Sequence, residues 1–403
     1  MPPRRTRIRG QILRSVPFLF GMLHSLNRDA EPLLTPQFVL LLVTTSIIGL
    51  SFSTYFLLPK YYAVELAADA ATIGGLSGVS LFASVMCMPM VGVLIDRHGR
   101  RLFVWLGAVL FAAACAGFFF VHNVGPLLWG LRVVQGLAWP LFYLGLSTLA
   151  TDIAPKIRMG QAIGVFGAIM ISTNALGPAL AEWGAHLFGW HAVFGATAAA
   201  ALLAAVLARF LHEQHQPQAR HETTTMRELM RRPGLMRVLI VTTLVGWTFG
   251  AMFTFYQPWA LANGFEQVST FLVAFSACAM VVRVGIGGIA DRLGRLRVAQ
   301  VTLLLYIAAP LSLIWLPTLG LLFTGGLLGL AHGIFFPALN AVAVEFTLES
   351  ERGKAMAAYN GAFNVGFAAG SYLLGYVAIA TSFPTIFLIS ALFCAVAFAL
   401  LVS

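Results

Sequence analysis

The sequence predicts an all-α membrane protein with twelve transmembrane helices arranged as two similar six-helix halves. Hydrophobic residues make up 59% of the chain and charged residues only 10%, whereas an average soluble domain is about 25% charged. The apolar residues form long continuous runs, and about 20 such residues span a bilayer as a helix. They lack the strict alternation of a membrane β-barrel. In addition, the second half of the chain repeats short motifs of the first.

Each predicted span is an apolar run bounded by charged or turn-forming residues. The short breaks at 122–125, 316–320 and 381–384 contain Pro or Gly and suit tight loops between helices. The twelve runs lie near residues 36–59, 71–95, 102–121, 125–150, 160–184, 190–211, 237–261, 268–290, 298–316, 319–346, 353–378 and 383–402.

Polar segments divide the chain into four parts. Residues 1–35 form a basic leader, whose apolar stretch is short and lacks a small-x-small cleavage site, so we expect it to remain on the chain. Residues 212–236 form a charged linker between an N-terminal half, 36–211, and a C-terminal half, 237–403. Within the linker, the sequence TMRELMRR predicts a short surface helix with Met226 and Met230 facing lipid.

Basic residues predict the orientation, because Lys and Arg concentrate in short cytoplasmic loops. Nearly all of the 25 Lys and Arg residues fall in the leader, in the linker or in alternate loops on the same side. Lys60 lies in a loop on the other side, and Arg132 and Arg283 lie within spans 4 and 8. This alternation predicts a protein of the inner cell membrane with both termini in the cytoplasm.

Two sequence elements recur at nearly the same spacing in the two halves. GVLIDRHGRR at 92–101, after span 2, recurs as GGIADRLGRL at 287–296, after span 8, 195 residues later. Asp152 and Arg158 after span 4 are matched by Glu345 and Arg352 after span 10. A duplicated six-span unit in parallel orientation is typical of transporters whose halves are related by an axis along the membrane normal.

From about residue 36 onward, the chain resembles the major facilitator superfamily. The pattern G-x-x-x-D-R-x-G-R-R at 92–101 matches the most diagnostic motif of that family at every fixed position. The resemblance implies a secondary active transporter that alternates access to a central site, similar to the drug/proton antiporters of that family. Span 5 carries part of the glycine-rich element of family antiporters, with Gly177-Pro178 present and two later glycines replaced by Ala181 and Glu182.

The motif residues predict a gate at the cytoplasmic face. Gly92 and Gly99 permit close helix approach and a tight turn. We expect Arg100 to pair with Asp152, and Arg295 with Glu345, when that face is closed, and both pairs to break when it opens. A role as ordinary positive-inside residues stays open for Arg97 and Arg101. The predicted gating residues are Gly92, Asp96, Arg97, Gly99, Arg100, Arg101, Asp152, Asp291, Arg292, Arg295 and Glu345.

Arg132 and Gln135 belong to a segment, RVVQG, that looks like the family's R-x-x-Q-G element associated with proton coupling. They share one helix face with Trp139 and Tyr143, which we expect to point toward the central cavity. The alternative is that Arg132 extends outward to the membrane surface. His332, with an unperturbed pKa of about 6.5, either takes part in coupling with Arg132 or is a hydrogen-bonded packing residue.

Polar and aromatic side chains concentrate in the spans that the family uses to line its cavity. Amides inside hydrocarbon are costly without partners, so we expect several to face the pathway or neighbouring helices, and a packing role stays open for each of them. The predicted substrate-binding residues are Tyr55, Trp139, Tyr143, Asn174, Trp247, Phe253, Tyr256, Gln257, Phe336, Asn340, Asn360 and Asn364.

We therefore predict a transporter and not an enzyme, since the motifs HExxH, GxSxG and Walker A do not occur in the sequence.

 The expected function is proton-coupled efflux of a small amphiphilic solute. A neutral or anionic solute fits better than a cation, because a cation would meet the buried charge of Arg132. We expect protons as the coupling ion, a monomer in the bilayer, no nucleic-acid partner and no cofactor.

Four alternatives remain at this stage. The first is proton-coupled uptake of an organic acid or similar nutrient. The second is a copper transporter, because the run Met86-Cys87-Met88-Pro89-Met90 in span 2 offers soft sulfur ligands. The third and fourth are a transporter-like sensor, which would carry an added soluble domain, and a membrane enzyme, which would need a catalytic set that the motifs do not supply.

Overall fold

The computed structural model describes residues 32–213, 225–285, 293–348 and 351–402, and every regular element within these ranges is helical. The helices are α1 (Pro36–Thr54), α2 (Leu58–Val64), α3 (Ala70–His98), α4 (Arg100–Gly117), α5 (Pro126–Ile153), α6 (Met159–Ala208), α7 (Met226–Met230), α8 (Pro233–Ala262), α9 (Ser269–Gly285), α10 (Arg295–Ile314), α11 (Leu316–Glu345), α12 (Arg352–Ala380) and α13 (Phe383–Val402).

Ten helical segments of the described chain are long and apolar enough to cross a membrane. One of them, Lys156–Ala208, turns at Gly189, where φ is 78°, and holds both the fifth and the sixth predicted span. A shorter apolar helix, Ser269–Arg283, covers the eighth. The all-helical membrane architecture is thus confirmed, while the count of twelve crossings stays a prediction.

Local sequence explains where several helices begin. The Thr35 hydroxyl accepts a hydrogen bond from the Phe38 amide at the start of α1, and Asp69 accepts one from the Thr72 amide at the start of α3. Such side chains satisfy amides that have no partner inside the helix. Pro126 opens α5, a position where the missing N–H costs nothing.

Helix packing repeats between the two halves. In the first half, α1 packs on α6, α4 on α5 and α3 on α5; in the second, α8 packs on α12, α10 on α11 and α9 on α11. Glycines at matching positions permit this: a Cβ on Gly177 would lie 2.9 Å from the Leu50 carbonyl oxygen, and one on Gly370 would meet the Trp247 carbonyl oxygen. The buried cores likewise fall mainly on either side of the linker.

The two halves meet through α3 against α12 and α6 against α9. We call the end of the bundle with the Gly99 and Gly294 turns the motif face, and the end with Lys60 the far face. Toward the far face, α3 and α12 touch closely, since a Cβ on Gly78 would lie 3.2 Å from the Ala368 carbonyl oxygen. Toward the motif face they separate. A Cβ on Gly92 would meet no atom within 4 Å beyond its own stretch of α3, so no described helix approaches closely at Gly92.

The linker contains the short helix α7, as the sequence predicted. Thr225 and Glu228 form a reciprocal capping box, and the hydrogen bonds from Thr225 lower the pKa of the Glu228 carboxyl. Leu229 is buried, whereas Met226 and Met230 are each 40% exposed. Their contact with lipid stays a prediction.

Candidate functional site

A cavity of about 480 Å³ lies between the halves. Its walls come from α1, α5 and α6, and Arg283 of α9 faces it from the second half. Ser147 and Thr151, near the end of α5, and Ile163, near the start of α6, place its mouth toward the motif face. The cavity therefore opens at the face where the helices of the two halves separate.

Stacked aromatic rings form one wall of the cavity. The Trp139 ring stacks on Phe52 with centroids 4.0 Å apart and on Tyr143 with centroids 4.7 Å apart. Trp139 and Tyr143 are four residues apart, so they lie on one face of α5. Both residues line the cavity, and their role in substrate binding stays a prediction. The stack presents flat apolar surfaces of the kind that pack against aromatic rings.

Few polar groups interrupt this wall. Asn174 of α6 lines the cavity, as expected, together with the Ser147 and Thr151 hydroxyls. Arg283 is the one charged side chain among the lining residues that the structure describes. Arg283 was not among the predicted site residues, although a charged residue inside an apolar run is a sequence signal for a functional group.

The cavity is closed toward the far face by contacts between the halves. The Phe56 and Phe253 rings meet edge to face with centroids 6.2 Å apart. The Gln257 side chain accepts a hydrogen bond from the Lys60 amide at 3.0 Å and donates one to the Phe56 carbonyl at 2.7 Å. Phe253 and Gln257 thus form a roof over the cavity, and neither belongs to its lining.

A second set of contacts lies nearer the far face, around Glu182. Its carboxylate pairs with Lys60 Nζ at 2.6 Å and accepts hydrogen bonds from the amides of Val268 and Ser269, both at 2.9 Å. Lys60 Nζ also donates to the Glu266 carbonyl. We call Lys60, Glu182 and these two amides the far-face lock. The sequence did not predict the far-face lock. Its one signal was Glu182, which stands where the glycine-rich element of family antiporters has a glycine.

At the motif face, Gly99 makes the predicted tight turn. Its φ of 92° lies in a region that side chains avoid. The following helix, α4, begins with its first amides bonded to Glu213: Arg100 N donates at 2.6 Å and Arg101 N at 3.1 Å. Glu213, just after the last span of the first half, is a capping residue that the sequence did not reveal.

Both predicted ion pairs are present, although the motif face, at which they were expected to break, is open. Arg100 Nε lies 3.0 Å from Asp152, and Arg295 lies 3.0 Å from Glu345. They were expected to break when the motif face opens, yet they are formed beside an open cavity. Each pair joins helices of the same half, so the halves can separate without breaking it.

The other charged residues of the predicted gate lie at the surface or outside the described residues. Asp96 and Arg97 lie exposed in the last turn of α3, and Arg101 is exposed at the start of α4. Asp291 and Arg292 lie outside the described residues.

Arg132 does not face the cavity, which corrects the expectation. Its Nε donates to the Leu76 carbonyl of α3 at 3.1 Å, and its guanidinium donates to Gln135 at 2.6 Å. Gln135 is 1% exposed. Because two acceptors hold it, Arg132 is satisfied within the first half, and it lies in the second turn of α5, near the far face.

His332 lies inside the second half among aromatic rings. Its Nδ1 is 2.7 Å from the Tyr306 hydroxyl, and the rings of Phe249 and Phe336 are 4.7 and 5.0 Å away. Its hydrogen-bond partner thus belongs to the second half, whereas those of Arg132 belong to the first, so the two are not joined by a direct hydrogen bond.

Other predicted substrate residues lie outside the cavity lining, and their role in binding stays a prediction. The Tyr55 hydroxyl is 3.1 Å from Thr197 Oγ1 in the first core, and Tyr256 is fully buried with its ring stacked on Phe271. Asn360 donates to the Met356 carbonyl at 2.7 Å on its own helix. Trp247, Phe336, Asn340 and Asn364 are half-buried and also lie outside the cavity lining. These residues were predicted to bind substrate because they are polar or aromatic residues inside spans, but residue type alone does not show which neighbour a side chain faces.

The sulfur-rich run in α3 does not form a common site. Met86 and Met90 are each 61% exposed, whereas Cys87 is buried with its Sγ 3.9 Å from the Leu137 carbonyl oxygen. Met86 and Met90 thus lie on the exposed side of α3, whereas Cys87 is packed against α5, so the three sulfurs do not share one environment.

A family model described as the Major Facilitator Superfamily matches residues 39–326 and 317–403. The chain belongs to this superfamily of transporters. It is 26% identical over 354 residues to the "Multi-drug resistance efflux pump PmrA homolog" of Lactococcus lactis subsp. lactis (strain IL1403), covering 82% of this chain and 86% of that protein. It is 26% identical over 329 residues to "Multidrug resistance protein MdtG" of Enterobacter lignolyticus (strain SCF1), covering 78% of each.

Among solved structures, the nucleoside transporter NupG superposes with a TM-score of 0.76 at 17% identity, covering 91% of this chain and 99% of that chain. This likeness shows the fold. Together with the family match, it makes this protein a secondary transporter built from membrane-spanning helices.

Proposed function

We propose that this transporter exports a small amphiphilic organic solute, neutral or anionic, in exchange for protons. The observation that carries the proposal is the aromatic cavity between the halves, open at one face and closed at the other. Its volume of about 480 Å³ falls within the range of small-molecule sites, about 300–1,000 Å³. The names of the related efflux pumps support the direction of transport.

The charge distribution supports a cytoplasmic assignment of the motif face. The linker, with its arginines, and the Arg100 and Arg295 loops lie at this end, and Lys60 lies at the other. The cavity would then receive solute from the cytoplasm. Transport requires the halves to close at the motif face while the far-face lock and the Gln257 roof contacts break.

The gating residues act in this scheme by keeping each half rigid. The Arg100–Asp152 and Arg295–Glu345 pairs tie the ends of neighbouring helices within one half, so each half rocks as a unit. Asp96 and Arg97 lie exposed at the end of α3, the end that approaches the other half when the motif face closes. Asp96→Asn should therefore slow cycling without changing which solutes are carried.

We propose that the polar groups inside the spans carry the proton coupling. Arg132 with Gln135 in the first half and His332 with Tyr306 in the second are hydrogen-bonded pairs within α-helical spans. Movement between the halves would change the water access of His332, and a change of solvation alters the proton affinity of an imidazole. Arg132 stays protonated and acts as a fixed charge.

The test is transport by the purified protein in liposomes. A pH gradient is imposed, candidate solutes are screened by counterflow, and internal pH is followed with a trapped dye. We expect a solute whose outward movement collapses the gradient, and a Trp139→Ala variant that carries it more slowly. Proton movement indifferent to every solute, or solute flux indifferent to the gradient, contradicts antiport. Solute accumulation together with protons would favour uptake of an organic acid.

A further inference from the structure

We infer that Arg283 selects an aromatic monoanion as substrate, with the ring against the Phe52–Trp139–Tyr143 stack and a carboxylate or similar group on the guanidinium. The inference rests on the proposed function and narrows its substrate class. Arg283 lies in α9 of the second half, while the aromatic wall belongs to the first. A bound solute of this kind would therefore touch both halves.

The two arginines inside spans are held in different ways. Arg132 is satisfied by the Leu76 carbonyl and by Gln135. Arg283 has no ion pair or hydrogen bond with the described residues, and its side chain is exposed within a water-accessible cavity. A charge in a span is costly unless a partner or a function compensates it. A free guanidinium facing a solute cavity is a group prepared for an incoming anion.

The surroundings of Arg283 add no competing negative charge. Asp and Glu do not occur among the lining residues of the cavity that the structure describes. The Arg283 charge acts on two titratable groups of the described chain, Tyr143, across the cavity, and His332, in its own half. Neither is an acid that is ionised at neutral pH, so an anion would find Arg283 available.

The chemistry of the two walls defines the ligand. A guanidinium offers a planar fork of N–H donors that matches a carboxylate in bidentate geometry. The stacked rings of Phe52, Trp139 and Tyr143 offer an apolar face for a flat ring system. A neutral aromatic solute would use only the second wall, and a small inorganic anion only the first.

Binding to the purified full-length protein tests this with two matched probes, 2-naphthoate and its neutral isostere 2-naphthamide, by Trp fluorescence at pH 7. We expect the wild type to bind 2-naphthoate at least tenfold more tightly than the amide, because the charge-assisted pair is formed only with the anion. Arg283→Gln should remove this preference and leave amide binding unchanged. Arg283→Lys should retain part of it.

Arg209→Gln is the matched control, because Arg209 is an exposed arginine outside the cavity, lying over the Trp105 ring. It should keep the wild-type preference. Equal affinity of the wild type for both probes, or an equal loss of both probes in Arg283→Gln, would overturn the inference.

Transport in liposomes separates this failure from failure of the proposed function. If the wild type exchanges the amide for protons as readily as 2-naphthoate, selection by Arg283 is wrong while antiport stands. If no solute is exchanged for protons although the anion preference is measured in binding, antiport is wrong while the anion site stands.

Discussion

Glu182→Gln offers the sharpest test of the far-face lock. Glutamine has nearly the same size, but its neutral amide cannot pair with the Lys60 ammonium. Its one carbonyl oxygen can keep a hydrogen bond to a single amide, so it cannot serve Val268 and Ser269 as the carboxylate does. The substitution therefore removes the ion pair and one charge-assisted hydrogen bond from the closed far face.

The magnitude follows from these two losses. A hydrogen bond to a charged group contributes about 1.5–3 kcal/mol. The Lys60 side chain is 19% exposed, so solvent screens the pair and we take the lower end, about 3 kcal/mol for the two losses together. When the far face is open, these groups contact water in either variant. The closed state alone is destabilised, and about 3 kcal/mol corresponds to a shift of about 100-fold in the equilibrium.

Distance measurement between spin labels gives the readout. Labels at Val64 and Trp315, exposed residues at the far face of opposite halves, report its opening, after the four native cysteines are replaced. We expect the long-distance population to grow strongly in Glu182→Gln; a state at about 1% would rise to about half. Glu65→Gln, which neutralises an exposed acid near Lys60, should leave the distances unchanged.

The reasoning is refuted if Glu182→Gln gives the same distance distribution as Glu65→Gln in folded protein. A double-mutant cycle with Lys60→Gln isolates the pair. A coupling energy near zero would assign the closure to the helix contacts of α3 with α12 instead.

Three further predictions concern other parts of the molecule. Gly99→Ala should lower stability by about 1–3 kcal/mol, since φ of 92° strains any side chain, whereas Gly92→Ala, at an open position, should change the melting temperature little; equal effects would contradict the turn argument. Arg132→Ala should abolish proton-coupled transport while the protein remains folded by circular dichroism, and unaltered coupling would make Arg132 a packing residue. Tyr306→Phe leaves His332 without its 2.7 Å partner, so we expect a loss of about 1–3 kcal/mol in the free energy of unfolding; an unchanged unfolding midpoint would show that the bond contributes nothing.

The sequence predicted the helices well because span length and apolar continuity are local properties. The last run, expected near 383–402, is α13, Phe383–Val402. The Arg100–Asp152 pair also followed from sequence, because both residues lie at helix ends that the repeat places on the same side. Trp139 and Tyr143 followed from their spacing on one helix.

The same patterns failed where rotation of a helix decides the neighbour. Arg132 shares a helix face with Trp139, yet its long side chain reaches Leu76 of α3 and leaves the cavity to the aromatic rings. Tyr55 and Tyr256 are polar groups in spans that the family resemblance assigns to the cavity, but both are buried in the cores. A polar residue inside a span must find a hydrogen-bond partner, and only the packing of the helices shows which group that partner is.

The sequence by itself determined the membrane-spanning helices, the duplicated halves and the motif turn at Gly99, because hydrophobic length and backbone preference act over a few residues. Only the tertiary structure decided which face of the bundle is closed. Glu182 meets an amide 86 residues away, and Lys60 meets Gln257 at a separation of 197. These contacts depend on the relative orientation of the two packed halves, and that orientation is set by the fit of whole helix surfaces.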